Sequence, residues 1–194
     1  MLEVSELRCE RNGRVLFDAL SFRVSPGELL RVEGGNGTGK TTLLRSLAGL
    51  YVDVEGSIAW DLPDYPLYVS HRPGVKDALT ALENLAWLCE LYGQPQPTAE
   101  LRRALGEVGL ARHEKRLAGN LSEGQRKRVN LARLALIDSP AWILDEPYSA
   151  IDRQGVAWLN ERVEAQLERG GLAILTSHQP VETRAQTTTL SLGT

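Results

Sequence analysis

The chain has 194 residues, the length of one compact domain or of a core with an insertion. Its composition, 42% hydrophobic and 24% charged, is that of a globular protein able to bury a sizeable core. The net charge of −3 argues against a general nucleic-acid-binding protein.

Cysteine content and hydropathy further narrow the class of protein. Cys9 and Cys89 are far apart and have no CxxC neighbour, which argues against a zinc site or a disulfide framework and favours buried thiols in a reducing compartment. The first residues are charged and lack an apolar run, so no signal peptide is expected. No stretch approaches the roughly 18 apolar residues of a spanning helix. We therefore expect a cytoplasmic chain whose membrane connection, if any, comes through a partner.

The first fifty residues predict a strand, a glycine loop and a helix. Leu2–Leu7 alternates and is predicted as an edge strand. Residues 29–33 form a β-rich run that stops at a glycine cluster. Residues 40–48 have leucines at helical spacing and end before Gly49, a typical helix stop. Strand, loop and helix in this order make one unit of an α/β fold.

The middle of the chain is helical in character. Thr80 and Glu83 have the spacing of a capping box, in which threonine accepts from the backbone and glutamate reaches back. The helix that follows is predicted to end near Gly93, and a second one starts at Thr98. Residues 73–130 are therefore predicted to form a helical subdomain.

The α/β pattern then resumes. Residues 141–145 and 172–176 are apolar runs suited to buried parallel strands, and residues 187–192 are predicted as the last strand. The sequence thus predicts an α/β P-loop core with a mixed sheet, formed by residues 1–72 and 131–194, into which the helical subdomain is inserted.

The glycine loop fits G-x-x-x-x-G-K-[ST], the phosphate-binding P-loop. Its glycines let the backbone wrap the phosphates, and the helix N-terminus behind them favours negative charge. Lys40 is expected to reach the β- and γ-phosphates of ATP, and Thr41 to offer its hydroxyl to Mg²⁺. A chance glycine turn is disfavoured because the motif follows a strand and opens a helix. The predicted nucleotide-binding residues are Gly34, Gly35, Asn36, Gly37, Thr38, Gly39, Lys40, Thr41 and Thr42.

Two carboxylates follow the apolar run at 141–144. The strand carries Asp145 to the carboxyl edge of the sheet, where ligands of α/β proteins bind. Asp145 suits the Mg²⁺ shell, and Glu146 is placed to polarise the attacking water as a general base. The alternative, an acidic strand end in solvent, is disfavoured by the P-loop upstream.

A second candidate phosphate site is the signature segment, Leu121–Gln125, which leads into a helix. Serine, glycine and exposed backbone N–H groups at a helix start can hold a phosphate. On its own, the pattern fits equally well an ordinary N-cap followed by a solvated basic face. The candidate residues are Ser122, Glu123, Gly124 and Gln125.

The P-loop, the Leu-Ser-x-Gly-Gln segment and the Asp-Glu-Pro motif, in this order, resemble the ATP-binding cassette family. The resemblance covers nearly the whole chain and implies a D-loop at Ser149–Asp152, including Asp152, and a switch histidine, His178, that contacts the γ-phosphate and shares catalysis with Glu146. It also implies a head-to-tail homodimer that sandwiches two ATP molecules with Mg²⁺. Each ATP would touch the P-loop of one copy and the signature segment of the other.

Three positions depart from the family pattern. His71 stands where the family has a glutamine, and Glu123 stands where it has a glycine. Near the place of the aromatic that stacks on adenine stands Arg11, whose guanidinium plane could stack on the base, although a surface arginine fits equally well.

These departures resemble one subgroup, the haem-exporter ATP-binding subunits of cytochrome c maturation, on the stretches Cys9–Phe17 and His71–Leu85. The subgroup implies integral membrane partners and a peripheral location on the cytoplasmic face, and no nucleic-acid partner is expected. Arg72–Lys76 and the apolar face formed by Leu82, Leu85 and Cys89 are expected to dock a membrane subunit, although packing of that face against the core is the alternative. Two alternatives stay open: an ABC transporter subunit with another cargo, and a soluble ABC ATPase acting on nucleic acid or ribosomes. The latter usually has two cassettes or long basic or coiled-coil additions, which this chain lacks.

Overall fold

The computed structural model describes residues 1–63, 65–177 and 181–193. Within them lie eight strands and five α-helices. The strands are β1 (Leu2–Arg11), β2 (Arg14–Val24), β3 (Leu29–Gly34), β4 (Glu55–Trp60), β5 (Leu67–Val69), β6 (Ala141–Leu144), β7 (Leu172–Thr176) and β8 (Thr187–Leu192). The helices are α1 (Lys40–Leu47), α2 (Ala81–Leu91), α3 (Thr98–Glu107), α4 (Glu123–Ala132) and α5 (Arg153–Glu168).

The described chain divides into two compact units. The first unit comprises 1–68, 139–146 and 163–194, and the second comprises 69–138 and 147–162. All of residues 73–130 lie in the second unit; the boundaries predicted for them as a subdomain stay a prediction.

The N-terminal strands form a three-stranded antiparallel sheet in the order β2-β1-β4. The two-residue turn between β1 and β2 has Asn12 and Gly13 at φ 52 and 72, the conformation that suits a tight hairpin. The strand predicted at Leu2–Leu7 is present, but its predicted position at the sheet edge was wrong, because β1 is the central strand. Alternation of apolar and polar residues shows that one face of a strand is buried, but it does not show whether both edges of the strand are hydrogen-bonded to neighbouring strands.

The second sheet of the first unit has the order β5-β6-β7-β3-β8. Its strands β3, β6, β7 and β8 pair in parallel. Every residue of β6 and β7 is buried, as their continuous apolar runs predict. The leucines of α1 join the same core as β3, β6 and β7, and each buried leucine stabilises it by about 1.5–3 kcal/mol. The predicted α/β P-loop core is confirmed, with parallel and antiparallel strands separated into two sheets.

The second unit is built mainly from helices. Thr80 and Glu83 form the predicted capping box at the start of α2: the Thr80 hydroxyl accepts from the Glu83 N–H, and the Glu83 carboxylate accepts from the Thr80 N–H. Leu85 and Cys89 on the apolar face of α2 are fully buried. Burial raises the pKa of the Cys89 thiol to about 11, so it stays protonated and unreactive.

None of the described helices is long and apolar enough to cross a membrane.

Candidate functional site

The P-loop connects β3 to α1 in the first unit, and its backbone path requires glycine. Gly34 has φ +148, and a Cβ added there would stand 2.6 Å from the carbonyl oxygen of Leu192. Gly39, the N-cap of α1, has φ +100, and its Cβ would stand 3.0 Å from the Cβ of Leu16. Larger residues at these two positions would displace the loop from the carboxyl edge of the sheet.

The Lys40 ammonium is held inside this loop. Its Nζ donates to the carbonyl oxygens of Gly34, at 2.7 Å, and Gly35, at 3.0 Å. The N-terminus of α1 has no side-chain cap and no acidic residue in its first turn. A cation, an uncapped helix start and a glycine loop together favour an anion such as a phosphate chain.

Four polar groups of the first unit form a continuous hydrogen-bond chain. The Asp145 carboxylate accepts from the Thr41 hydroxyl at 2.9 Å and from the Thr176 hydroxyl at 3.1 Å. The Thr176 hydroxyl in turn accepts from the Glu146 N–H at 2.7 Å. Asp145 is 1% exposed and Thr176 is fully buried, so the hydrogen bond between them is shielded from water, whereas Thr41 at one end of the chain is exposed. Asp145 directly follows β6 and Thr176 ends β7, and the two residues lie close together because Leu144 of β6 pairs with Leu175 of β7.

This arrangement tests the fit of Mg²⁺. Thr41 and Asp145 present neighbouring hard oxygen donors, which suit a Mg²⁺ ion that takes its other ligands from water and substrate phosphates. Within the described residues no cluster of three or more His, Cys, Asp and Glu could hold a metal alone. The residues present therefore fit a metal shared with a nucleotide rather than a caged structural ion.

Glu146 adopts a strained backbone conformation. Its φ is +50, in the left-handed region that costs a residue with a Cβ about 1–2 kcal/mol. The hydrogen bond from its N–H to Thr176 holds it in this conformation. Thr176 was missed as a site residue, because its position beside Asp145 depends on the order of strands.

The signature segment starts α4 in the second unit. Ser122 and Gln125 form a capping box: the Ser122 hydroxyl accepts from the Gln125 N–H at 3.2 Å, and the Gln125 side chain accepts from the Ser122 N–H at 3.0 Å. The Gln125 amide also lies 3.3 Å from Nε2 of His113. Ser122 and Glu123 are exposed, so this helix start is accessible from solvent.

Further predicted residues of the second unit lie around α4. Asp152 accepts from the Gly155 N–H at 2.9 Å at the start of α5, and its other carboxylate oxygen lies 3.4 Å from Arg128. His71 is exposed, and its carbonyl oxygen lies 3.5 Å from Nζ of Lys127. Lys127 is buried, which argues against the alternative of a solvated basic face after Ser122.

For two of the predicted site residues the structure gives little information. His178 lies outside the described residues, so its role stays a prediction. Arg11 is exposed at the end of β1, where it pairs with Arg14, and its stacking on adenine also stays a prediction.

Comparison with known proteins gives the relationships of the chain. The ABC transporter family model matches residues 17–149. The cytochrome c biogenesis ATP-binding export protein CcmA of Photobacterium profundum is 46% identical over 200 residues, covering 92% of this chain and 93% of that protein. This confirms both the predicted family and the resemblance to the cytochrome c maturation subgroup.

Solved structures agree in fold. An ABC transporter ATP-binding protein from Pyrococcus furiosus superposes with a TM-score of 0.83 at 23% identity, covering 98% of this chain and 96% of that one. A dimeric ATP-binding cassette in a post-hydrolysis state, bound to ADP and Pi, superposes with a TM-score of 0.80 at 21% identity, covering 92% and 88%. The chain belongs to the ABC transporter family, in which it is an ATP-binding ATPase subunit related to the CcmA proteins.

Proposed function

We propose that this chain hydrolyses ATP to power integral membrane subunits that handle haem in cytochrome c biogenesis. The 46% identity to a cytochrome c biogenesis ATP-binding export protein, over nearly the whole of both chains, carries the proposal. The hydrogen-bonded Thr41–Asp145–Thr176–Glu146 chain supports it, because it keeps the polar residues of an ATPase in place.

The first unit holds the nucleotide. The backbone of Gly34–Thr42 wraps the phosphates. When ATP binds, the Lys40 ammonium gives up its hydrogen bonds to the carbonyl oxygens of the loop and donates to the β- and γ-phosphates instead. Thr41 and Asp145, whose oxygen atoms are neighbours, would hold Mg²⁺ beside the phosphates. When bound, Mg²⁺ neutralises charge on the phosphates.

Glu146 serves as the general base. Its carboxylate takes a proton from a water, whose oxygen forms a bond to the γ-phosphorus while the bond to the bridging oxygen of ADP breaks. Thr176 fixes the Glu146 backbone and thus the origin of its side chain. His178 contacts the γ-phosphate and assists this step.

A second copy completes each site. Ser122 already accepts a hydrogen bond from the Gln125 N–H, and its hydroxyl proton remains available to a phosphate oxygen of the ATP bound by the other copy. The dimeric cassette bound to ADP and Pi, which has this fold, supports such an assembly. ATP binding then closes the homodimer and hydrolysis reopens it.

A membrane subunit docks on the second unit. The predicted apolar docking face on α2 is unsuitable where it carries Leu85 and Cys89, since both are buried in the unit. Beside the predicted Arg72–Lys76 segment, however, lies an open cavity of about 410 Å³. It is lined by Pro73, Val75, Leu121, Glu123 and Arg126. Apolar walls with one acidic and one basic group suit a short amphipathic segment of a partner.

Genetic complementation tests the proposal. Deletion of the gene should abolish covalent haem attachment to c-type cytochromes, detected by haem staining of membrane proteins. The parent chain should restore attachment and copurify with integral membrane subunits, whereas Lys40→Ala should copurify without restoring it. Normal c-type cytochromes in the deletion strain would contradict the cargo and leave the ATPase assignment intact.

A further inference from the structure

A buried ammonium group in the second unit is not used by the reaction described above. Lys127 lies on α4, two residues beyond the signature segment, and is 2% exposed. Its Nζ donates to the Ser149 hydroxyl at 3.2 Å and lies 3.5 Å from the carbonyl oxygen of His71, at the outer limit of a hydrogen bond. Removing a cation from water costs several kcal/mol unless acceptors compensate. An apolar side chain of the same length would avoid that cost, so these contacts call for a role.

The first turns of α4 contact the D-loop at two further points. Gly124 and Arg128 are four residues apart and share one face of α4, and Lys127 lies in the same turn, three residues after Gly124. A Cβ at Gly124 would stand 2.4 Å from the carbonyl oxygen of Ala150, and Nη1 of Arg128 lies 3.4 Å from the Asp152 carboxylate. The D-loop therefore lies along α4, with the buried ammonium at the centre of the contact.

One of the segments joined by Lys127 follows the proposed base in sequence, and the other holds the family's glutamine position. Ser149 follows the proposed base Glu146 by three residues, and His71 stands at the glutamine position of the family. We propose that Lys127 is a positioning residue, which fixes the D-loop and the His71 backbone on α4 and presents them with the signature segment as one block to a second copy. This inference rests on the proposed dimeric ATPase.

Lys127→Met tests the role directly, because it keeps the length of the side chain and removes the charge and the donors. We expect kcat for ATP hydrolysis to fall at least about tenfold, since displacement of a site by ~1 Å can cost ~10²-fold. KM for ATP and the affinity of the monomer for ATP should stay within about twofold, because the P-loop belongs to the first unit. The matched control is Lys115→Met, which removes an exposed ammonium from the same unit and should behave like the parent.

Lys127→Arg separates positioning from packing. Arginine keeps the cation and the donors but is bulkier, whereas methionine fills the site and cannot donate. A positioning role predicts a higher kcat for Lys127→Arg than for Lys127→Met, and a packing role predicts the opposite order. A Lys127→Met chain with the kcat of the parent, or with a higher kcat than Lys127→Arg, would overturn the inference.

The partner side of the contact gives an independent measurement. Ser149→Ala removes one hydroxyl and should lower kcat in the parent but not in Lys127→Met, since the bond is already lost there. If Lys127→Met does not fold, Ser149→Ala decides alone, and a kcat equal to that of the parent would overturn the role of Lys127. Turnover is measured with the full chain copurified with its membrane subunits, and the affinity of the monomer for ATP is measured with the full chain alone. An absence of turnover in the parent would contradict the proposed function itself, whereas normal turnover in every variant would contradict the role of Lys127 only.

Discussion

The two helix N-termini that the sequence marks as phosphate sites differ in how they are capped. At the start of α1, Gly39 provides no side-chain cap, and the first turn has no acidic residue. At the start of α4, Ser122 and Gln125 cap the helix reciprocally, and Glu123 adds a negative charge to the first turn. A cap of this kind stabilises a helix by about 1 kcal/mol.

This difference in capping shows which of the two helix starts needs a ligand to satisfy its backbone N–H groups. The backbone N–H groups of α1 lack a side-chain acceptor, so a phosphate would satisfy them and bind tightly to a single copy. At the start of α4 the capping box already satisfies the N–H groups of Ser122 and Gln125 without a ligand, and the Ser122 hydroxyl proton remains for an incoming phosphate. We therefore expect ATP to bind the P-loop first and α4 of the second copy afterwards. The predictions below test this order.

Glu146→Gln should have the largest effect. Glutamine keeps the size and the backbone hydrogen bond to Thr176 but cannot take a proton, so kcat should fall about 10²–10⁴-fold while ATP binding persists. Because ATP then stays bound, the variant should form an ATP-dependent dimer, measured by light scattering after gel filtration. Glu161→Gln on the exposed face of α5 is the control. If Glu146→Gln turns over ATP as fast as the parent, another residue must be the base.

Lys40→Ala should weaken binding at the first of the two sites. Removing the ammonium deletes charge-assisted hydrogen bonds to the phosphates, so the dissociation constant for ATP should rise about 10²-fold. Titration of the monomer with a fluorescent ATP analogue measures it, with Lys115→Ala as the control for loss of a lysine. An affinity equal to that of the parent would contradict the assignment of the P-loop as the primary site.

Thr176→Val should loosen the hydrogen-bond chain that supports Glu146. Valine has the same shape but leaves the buried Glu146 N–H without its acceptor and Asp145 without one donor, which costs about 1–3 kcal/mol in the free energy of unfolding. Urea denaturation measures the change. Thr188→Val on the exposed face of β8 should change it by less than ~0.5 kcal/mol. Equal effects of the two substitutions would mean that the Thr176 hydroxyl is not part of the support.

The half of the site in the first unit could be predicted well, because short contiguous stretches of sequence specify it. The P-loop residues are contiguous, and Asp145 and Glu146 end an apolar run whose position at a sheet edge follows from the pattern. Thr176 could not be found in this way. Its hydroxyl reaches Asp145 because β7 pairs with β6, and the order of strands is a property of the folded sheet.

The half of the site in the second unit was predicted less completely, because packing between distant segments of the chain determines part of it. The capping box at Thr80 depends on residues three apart and is present as predicted, whereas Ser122, for which an ordinary N-cap was one alternative, also forms a capping box. A solvated basic face after Ser122 stayed open as an alternative, because nothing local shows that residues 149–152 pack against α4 and bury Lys127. Burial of Leu85 and Cys89, which removed part of the predicted docking face, likewise depends on packing between helices.

His71→Gln tests whether the family's glutamine can replace the histidine of this chain. Glutamine, like the exposed His71 side chain, offers a donor and an acceptor, so kcat for ATP hydrolysis should stay close to that of the parent. His71→Ala removes both groups and should lower kcat about fivefold, which corresponds to the loss of one hydrogen bond worth about 1 kcal/mol. A His71→Ala chain with the kcat of the parent would exclude the His71 side chain from the mechanism.

Glu123→Gln should have the smallest effect and refers directly to the capping difference between α1 and α4. The carboxylate stabilises the isolated helix start but repels a phosphate approaching it, each by roughly 0.3–1 kcal/mol at low ionic strength. Its removal should lower the stability of the monomer slightly and tighten the ATP-dependent dimer of Glu146→Gln about threefold. Because the residue is exposed, the gain should disappear at high salt, as measured by the dimer dissociation constant at two ionic strengths. Glu90→Gln removes the same charge from α2 and should leave dimerisation unchanged. A dimer that Glu123→Gln weakens would mean that this helix start does not face the phosphates of the second copy.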